Sequence, residues 1–319
     1  MKNILQLLSL VCLSGMLACS DDGDHKLPVP ETTVRLEGAI GQSTRAVIGS
    51  GYEKDLAVCF ARQDETYVSS GSYGTWSLYK ATRSGGKGNR PILFDELQQY
   101  PPDGSRIRLH GYYPAGDGTA YDLQTGRVTF TIDGKTDIMA TGCLTATLYV
   151  PASTCTFRHL LTQIALVCYS DRTAEWGIVT KIEAAGITTG QQLDWQTETP
   201  GLTASSSGQV ANVAVQDIDG LPLVQVDEGG ELPDAQGYIL LPASGGTAAH
   251  PLQLRVTTTK DGNGNETETV SRVPVIVEGG FQAGKRHVVS LFFTDGQKIQ
   301  TTSVSVERWT EQDAGEIPI

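Results

Sequence analysis

The stretch DGNGNE, which begins at Asp261, has the ligand spacing of a calcium-binding loop. Asp261, Asn263 and Asn265 alternate there, and side-chain oxygens at every second position open the loop of an EF-hand. The twelfth position of that loop needs a bidentate carboxylate, but Arg272 occupies it here. Strand-like runs flank the stretch on both sides, so we predict a β-hairpin with a Gly/Asn turn and no metal site.

The segment GGFQAGKR nearly matches a phosphate-binding loop, in which backbone N–H groups and a lysine hold phosphate oxygens. Gly279, Gly284 and Lys285 occupy the glycine and lysine positions. Arg286 replaces the Ser or Thr that would bind magnesium, and the sequence after it is typical of a strand, not of a helix. We therefore predict a turn.

The nucleophile and zinc motifs of hydrolases are missing from the sequence. It contains no G-x-S-x-G and no H-E-x-x-H, and its five histidines are scattered. His159 lies in a strand-like run, which favours a hydrogen-bonded core or interface residue over a catalytic base. Carboxylates are numerous, but no spacing indicates a glycosidase pair. The sequence predicts no enzyme and no cofactor, with an undetected hydrolase kept only as a third alternative.

Aromatic residues cluster in the stretch TYVSSGSYGTWSLY. Exposed rings of this kind can stack on sugar faces, and Tyr73 and Trp76 would be the candidate glycan contacts. The alternative is an aromatic strand that packs in a core, which is the commoner use of such residues.

One cysteine near the amino end has neighbours that indicate lipid attachment. Lys2 and the uncharged residues 4–18 have the charge and length of a secretory signal and are too short to span a membrane. The small residues in LACS, around Cys19, resemble the lipobox of bacterial lipoproteins. We predict a signal peptide over residues 1–18 and acyl chains such as palmitate on Cys19; the alternative is an ordinary signal peptide that contains a cysteine.

The acidic run SDDGD follows Cys19 directly. It resembles the export signal that some Gram-negative anaerobes place after the lipid-bearing cysteine, and its composition is also that of a solvated tether. We predict an acidic tether over residues 19–31 and a lipoprotein of the outer membrane that is displayed at the cell surface.

The charge of the chain excludes one class of partner. The 319 residues include 36 Asp and Glu against 24 Lys and Arg, a formal net charge of −12. Nucleic-acid binding needs a basic face that neutralises phosphates, so nucleic acid is not an expected partner. The length beyond the signal peptide is sufficient for two domains with their own cores.

Strand-like runs dominate the sequence. Most are rich in β-branched or aromatic residues and end at Gly, Pro, Asp or Asn clusters, which predicts an all-β protein of β-sandwich architecture. Only residues 92–100 and 173–177 have a pattern that could form a helical turn or two. The predicted strands are 56–60, 106–113, 127–132, 143–150, 156–169, 211–215, 237–242, 252–259, 270–277, 286–293 and 301–309.

Four cysteines lie beyond the signal peptide and Cys19, namely Cys59, Cys143, Cys155 and Cys168. They allow three pairings, between which the sequence does not choose. All lie in or beside apolar runs and none has C-x-x-C spacing, so disulfides and small buried hydrophobes are both open and a zinc site is not expected.

A leading segment precedes the first long strand. Val34, Leu36 and Ile40 lie at even spacing, which is the pattern of a strand with one buried face. Arg45 follows in the polar stretch QSTRA.

Several motifs follow one another in an order that identifies a family. They are Thr-Arg-Ala at 44–46, LHGYYPAG at 109–116, DIMATG at 137–142, FRHLLTQIALVCY at 157–169, FQAGKRHVVSLFF at 281–293, and Trp309 followed by AGEIPI at 314–319. Together with the lipobox and the leading strand, they resemble the fimbrillins, the type V pilins of anaerobic Gram-negative bacteria. The resemblance covers most of the chain.

The resemblance implies two transthyretin-like Greek-key β-sandwich domains, at 46–154 and 155–319. It also implies that residues 32–45 form a leading β-strand, or propeptide, that a protease removes by cutting between Arg45 and Ala46. Val34, Leu36 and Ile40 would belong to the lost strand.

In fimbrillins the subunits polymerise by strand exchange, so the resemblance gives the carboxyl-terminal residues 297–319 the role of donor strand. Val304, Val306 and Trp309 would be its contact residues. The alternative is that residues 297–309 form the last strand of their own domain.

The expected function is therefore a structural or adhesive subunit of a type V pilus, located in the outer membrane and the fimbrium. Its expected partners are other pilin subunits of the same or another kind, outer-membrane lipid through Cys19, and a host or bacterial receptor. Stalk, tip and anchor subunits are all open. The alternative function is a surface glycan-binding lipoprotein that does not polymerise.

Overall fold

The computed structural model describes residues 32–41, 48–116 and 120–307. Within these ranges the chain forms strands and one four-residue helix, so the protein is all-β, as predicted.

The strands of the first half are β1 (Leu36–Ile40), β2 (Leu56–Asp64), β3 (Ser77–Arg83), β4 (Arg90–Phe94), β5 (Ile107–Tyr113), β6 (Ala120–Asp122), β7 (Arg127–Thr131), β8 (Met139–Ala140), β9 (Leu144–Ala146) and β10 (Thr154–His159). The elements of the second half are β11 (Leu161–Ser170), α1 (Thr173–Trp176), β12 (Ile178–Thr188), β13 (Gly190–Asp194), β14 (Leu202–Ala204), β15 (Val210–Ala214), β16 (Leu221–Pro222), β17 (Val224–Gln225), β18 (Gly237–Pro242), β19 (Leu252–Thr258), β20 (Thr269–Val275), β21 (Arg286–Phe293) and β22 (Ile299–Glu307).

The first sheet closes on itself. Its strands pair in the order β2-β3-β4-β1-β10-β8-β5, and β5 pairs again with β2. Strand β9 pairs with the first three residues of β5. The β1–β10 pairing is parallel, and the other pairings of this ring are antiparallel. Strand β1 therefore completes a ring that would be open between β4 and β10 without it.

Three smaller sheets form the rest of the described structure. They have the orders β17-β11-β21-β22 with β18 on β11, β15-β12-β19-β20 with β16 on β12, and β14-β13-β7-β6. Strand β11 is buried on both faces, and most of its residues are apolar. Strand β19 instead alternates buried and half-buried residues, as a strand with one covered face does.

Two hydrophobic cores result from this arrangement. One lies in the first sheet and contains Phe60, Leu109, Met139 and Phe157. The larger one contains buried aromatic residues from strands, loops and α1, among them Trp76, Trp176, Trp195, Phe281 and Phe293.

The strands and the helix agree with two of the three local predictions. Strands β19 and β20 pair antiparallel on either side of the DGNGNE stretch, which confirms the hairpin, and the Asp261 carboxylate accepts hydrogen bonds from the backbone N–H groups of Asn263 and Asn265. The predicted helical turn at 173–177 is confirmed by α1. The one at 92–100 was wrong at its start, because residues through Phe94 form β4 and pair with β1 and β3.

The predicted division into domains at 154/155 stays a prediction. Strand β10 spans that boundary and belongs to the first sheet, and β7 pairs with β13 across it. In the described part of the chain, no helix is both long and apolar enough to cross a bilayer.

His110, in β5, gives the fold a sensitivity to acid. The ring is buried, and neither of its nitrogens makes a well-aligned hydrogen bond within the described structure. Burial lowers the pKa of the imidazole from 6.5 to about 4, and the Trp195 backbone and the Asp194 charge offset only part of this effect. Between pH 6.5 and 4 the unfolded chain therefore binds a proton that the folded chain does not. The contribution of His110 to the free energy of unfolding is thus fully present above pH 6.5 and is lost as the pH falls through this window.

We predict that His110→Leu removes this part of the acid sensitivity. The free energy of unfolding of the wild type, measured by urea denaturation, should fall between pH 6.5 and 4 by about 3 kcal/mol more than that of the variant. His250→Leu, at an exposed position, is the control and should keep the wild-type dependence. Parallel curves for the wild type and His110→Leu would contradict the prediction.

Candidate functional site

Strand β1 occupies a slot between β4 and β10, which we call the β1 seat. It runs antiparallel to β4, with Leu36 opposite Ile92, and parallel to β10, with Ile40 opposite Phe157. Both edges of β1 are therefore paired. A strand in this position is part of the interior of a sheet and not an addition to its edge.

The side chains of the leading segment alternate between core and surface. Val34, Leu36 and Ile40 are 4%, 3% and 5% exposed and belong to the core of the first sheet, whereas Arg35 and Glu37 point outward and are exposed. This is the arrangement that a period-two pattern produces when one face of a strand is covered.

Backbone hydrogen bonds hold the segment before and after the strand as well. Val34 N–H donates to the Gln98 carbonyl at 2.9 Å, and Tyr100 N–H donates to the Thr32 carbonyl at 2.7 Å. At the other end, Gly41 N–H donates to the Phe157 carbonyl at 2.7 Å. The segment is thus bound along its described length, from Thr32 to Gly41.

A buried arginine lies against the strand. The guanidinium of Arg83, at the end of β3, donates from Nε to the Gly38 carbonyl at 2.9 Å. Its other two nitrogens donate to the carbonyls of Ser84, Gly86 and Gly88 at 3.0, 2.9 and 2.9 Å. The cation is therefore held by four backbone carbonyls, of which one comes from β1.

The environment of Arg83 is unusual for a charged group. The residue is fully buried, and no carboxylate among the described residues lies within salt-bridge distance of it. Burial lowers the pKa of the guanidinium, and the charge of Arg90 lowers it further. A buried cation without a counter-ion depends on dipoles for its stability, so each of the carbonyls that it contacts matters more than a hydrogen bond at the surface does.

No sequence pattern indicated Arg83 as a functional residue. It stands before the stretch SGGKGN, which reads as an exposed loop, and its burial follows from the inward-facing carbonyls of that loop. The run of glycines was the one available signal, since glycines allow backbone carbonyls to turn toward a ligand or a cation.

His159 and Asp137 form a second buried polar group beside the seat. His159 Nδ1 lies 2.5 Å from Asp137 Oδ2, and Nε2 lies 3.3 Å from the carbonyl oxygen of Gly41, the residue that follows β1. Both side chains are nearly inaccessible to solvent. His159 is therefore a hydrogen-bonded core residue, as predicted, and it contacts the end of the leading segment.

Four residues with predicted roles in processing or strand donation lie outside the described ranges. Cys19, Arg45, Ala46 and Trp309 are not among the described residues. The described chain stops at Gly41 and resumes at Ile48 on either side of Arg45 and Ala46.

The carboxyl-terminal strand β22 is an edge strand of its own subunit. It pairs antiparallel with β21, where Val304 is opposite Val289 and packs partly against the larger core. Val306 is 51% exposed. Ser303 donates a hydrogen bond to Ser290 at 2.9 Å, and Thr301 donates to the Pro274 carbonyl at 3.1 Å. These contacts are those of the alternative interpretation, a last strand of the same domain, and the donor role is taken up below as a proposal.

The glycan interpretation of the aromatic cluster needs a correction. Trp76 is 2% exposed and packs against Trp195 with ring centroids 5.5 Å apart, so it belongs to the core and presents no face to a sugar. Tyr73 is half-buried and is covered by the guanidinium of Arg108 at 3.7 Å from the ring centroid. The core alternative applies to Trp76.

The four cysteines of the described chain are free thiols. Cys59, Cys155 and Cys168 are buried, and burial raises the pKa of the last two to about 12. They act as small hydrophobic residues, which is one of the two uses that the sequence left open.

The model of the fimbrillin-like family matches residues 44–309, a range that begins after β1. No curated protein sequence matches the chain.

Solved structures share its fold. A candidate cell adhesion protein from Bacteroides uniformis is 14% identical, with a TM-score of 0.56 over 87% of this chain and 98% of its own. A candidate cell adhesion protein from Bacteroides ovatus is 16% identical, with a TM-score of 0.54 over 88% and 99%. A fimbrial protein from Bacteroides vulgatus is 13% identical, with a TM-score of 0.50 over 88% and 100%. The family match extends over most of the sequence, and we conclude that the chain belongs to the fimbrillin-like family.

Proposed function

We propose that this protein is a structural or adhesive subunit of a type V pilus and that the β1 seat is its assembly joint. Proteolysis between Arg45 and Ala46 frees the leading strand, and a strand of another subunit replaces it. The observation that carries the proposal is the position of β1, which fills a slot between two strands and leads directly into the segment that contains Arg45.

The energetics of the seat favour replacement over vacancy. Burial of the Val34, Leu36 and Ile40 side chains is worth about 1.5–3 kcal/mol for each, before the entropy of ordering is subtracted. An empty seat would expose this apolar surface and leave unpaired backbone groups on both β4 and β10. Addition of an extended segment from a neighbour satisfies both demands at once.

The remaining parts of the proposal concern export and partners. Acyl chains on Cys19 would anchor the precursor in the outer membrane, since two or three chains bury enough methylenes for stable attachment. The mature subunit would be part of a fimbrium at the cell surface, with other pilin subunits and a host or bacterial receptor as partners. Membership of the fimbrillin-like family supports a role in adhesion or fimbriae, and we assign the protein no catalytic activity.

The carboxyl-terminal segment 297–319 is a candidate donor to the seat of a different subunit type in this scheme. Support comes from the edge position of β22, which can leave its sheet without breaking a central pairing, and from the exposed side chain of Val306. Trp309 would follow as a further contact residue of the donor.

Lipid attachment can be tested directly. When the full chain is expressed in a Gram-negative host with labelled palmitate, we expect the label in the wild-type protein and in membranes, because Cys19 accepts acyl chains. Cys19→Ser should carry no label and should leave the membrane fraction. Equal labelling of the two proteins would contradict lipid attachment at Cys19.

Maturation and assembly can be tested with an arginine-specific protease. In cells that supply the other fimbrial subunits, the wild-type precursor should give a product that begins at Ala46 and then ladders that survive warm detergent, whereas Arg45→Gln should give neither. A product that begins at Ala46 but stays monomeric would contradict the role of the seat as a joint. If that monomer bound glycans, the alternative function would be favoured.

A truncated chain serves as a control for the donor. A protein that lacks residues 297–319 should remain folded, because β22 is at a sheet edge, and should form no ladders beyond the one joint at its own seat. Failure of this protein to fold would show that the segment is required for the core and would contradict its role as donor.

A further inference from the structure

Gly38 lies at the most crowded point of the β1 seat. A Cβ atom added there would be 2.8 Å from Ile92 Cδ1, 3.3 Å from Phe157 Cε2 and 3.5 Å from Cys155 Sγ. The backbone of Gly38 is that of an ordinary strand and has no positive φ. Space, and not backbone conformation, therefore excludes a side chain at this position.

The side chains that surround Gly38 differ in how far they can move. The terminal methyl group of Ile92 can shift, so an alanine is tolerable at a cost. Phe157 is fully buried and packs edge-on against Phe60, with ring centroids 6.0 Å apart. A branched side chain at position 38 would have to displace this ring, and close-packed interiors resist such changes.

Arg83 contacts the backbone of the strand at the same position. Its Nε donates to the carbonyl of Gly38, while the rest of the guanidinium is bound by carbonyls of its own loop. Loss of the strand would leave one donor of a buried cation without an acceptor. Any strand that fills the seat therefore has to bring a carbonyl to this point.

Crowding at Gly38 and the two-residue alternation of β1 together fix the register of the strand, and in that register the Gly38 carbonyl accepts from Arg83. A shift by two residues would bring Leu36 or Ile40 to the crowded position, and a shift by one residue would turn the apolar face away from the core. The native register has aliphatic residues four and two positions before the glycine and two positions after it.

The inference rests on the proposed function and concerns the identity of the partner. We propose that the β1 seat accepts a strand with the pattern aliphatic-x-aliphatic-x-Gly-x-aliphatic, and that this strand comes from a different subunit type. Within residues 297–319 the one glycine is Gly315, and Asp313 stands two positions before it. Residues 299–307 contain no glycine. Once β1 has been removed, the carboxyl-terminal segment of a second copy therefore does not match the seat, and assembly at this seat is heterotypic.

Peptide exchange into the full chain tests the pattern. Residues 42–47 are replaced by the site of a sequence-specific protease, so that the folded chain is cut after β1 without dependence on Arg45. A labelled peptide of residues 32–41 is then added in excess and its incorporation is measured by gel filtration. We expect the native peptide to exchange into the seat and the Gly38→Val peptide to bind at least tenfold more weakly.

Matched controls separate the glycine from general effects. Glu37→Val places the same branched side chain on the exposed face of β1 and should bind like the native peptide. Peptides of residues 297–309 and 307–319 should not incorporate. Incorporation of Gly38→Val, or of either carboxyl-terminal peptide, at the native level would overturn the inference while leaving strand exchange intact.

A native peptide that does not exchange would instead count against the proposed function. In that case the uncut chain still decides the glycine requirement: Gly38→Val should lower the midpoint of urea unfolding clearly, and Glu37→Val should not. Equal midpoints for these two variants would overturn the requirement for glycine.

Discussion

Strand β1 closes the ring of the first sheet because its two edges satisfy the backbone groups of β4 and β10. Every other feature of this region depends on that closure. The aliphatic face of β1 covers the core of the first sheet, and a carbonyl of β1 completes the set of acceptors around the Arg83 guanidinium. His159 contacts the residue that follows the strand. A segment near the amino end of the chain thus supplies a central element of the sheet.

The burial of Arg83 shows how the seat combines stability with selectivity. A guanidinium without a nearby carboxylate is costly to bury, and the cost is offset by carbonyl oxygens that must be in place when the strand is present. The same group becomes under-coordinated when the strand leaves. The seat therefore has a built-in preference for being occupied, and this preference does not depend on the side-chain sequence of the occupant. Gly38 adds the sequence dependence, because its neighbours leave no room for a side chain.

The sequence predicted those features that local patterns determine. Alternation of aliphatic residues corresponds to the buried face of β1, the Gly/Asn cluster at 261–265 forms a hairpin turn, and a histidine in an apolar strand is a bonded core residue. Features that depend on distant pairing were not accessible. The parallel pairing of β1 with β10 joins segments far apart in the chain, and the burial of Trp76 depends on Trp195. The pattern of residues 92–100 predicts a helical turn, but Ile92–Phe94 lie in β4, because this stretch pairs with β1 and β3 and a local pattern does not show such distant partners.

The net charge of the chain limits which forces can drive assembly at the proposed joint. Copies of a protein with a formal charge of −12 repel one another, and this repulsion is screened beyond roughly 8–10 Å at physiological ionic strength. Long-range attraction between like subunits therefore cannot drive assembly. In the proposed joint, stabilisation would come from contacts at short range, which the β1 seat offers as aliphatic burial and backbone pairing at an apolar slot. In such a joint the shape of the strand, at positions such as Gly38, contributes to the choice of partner.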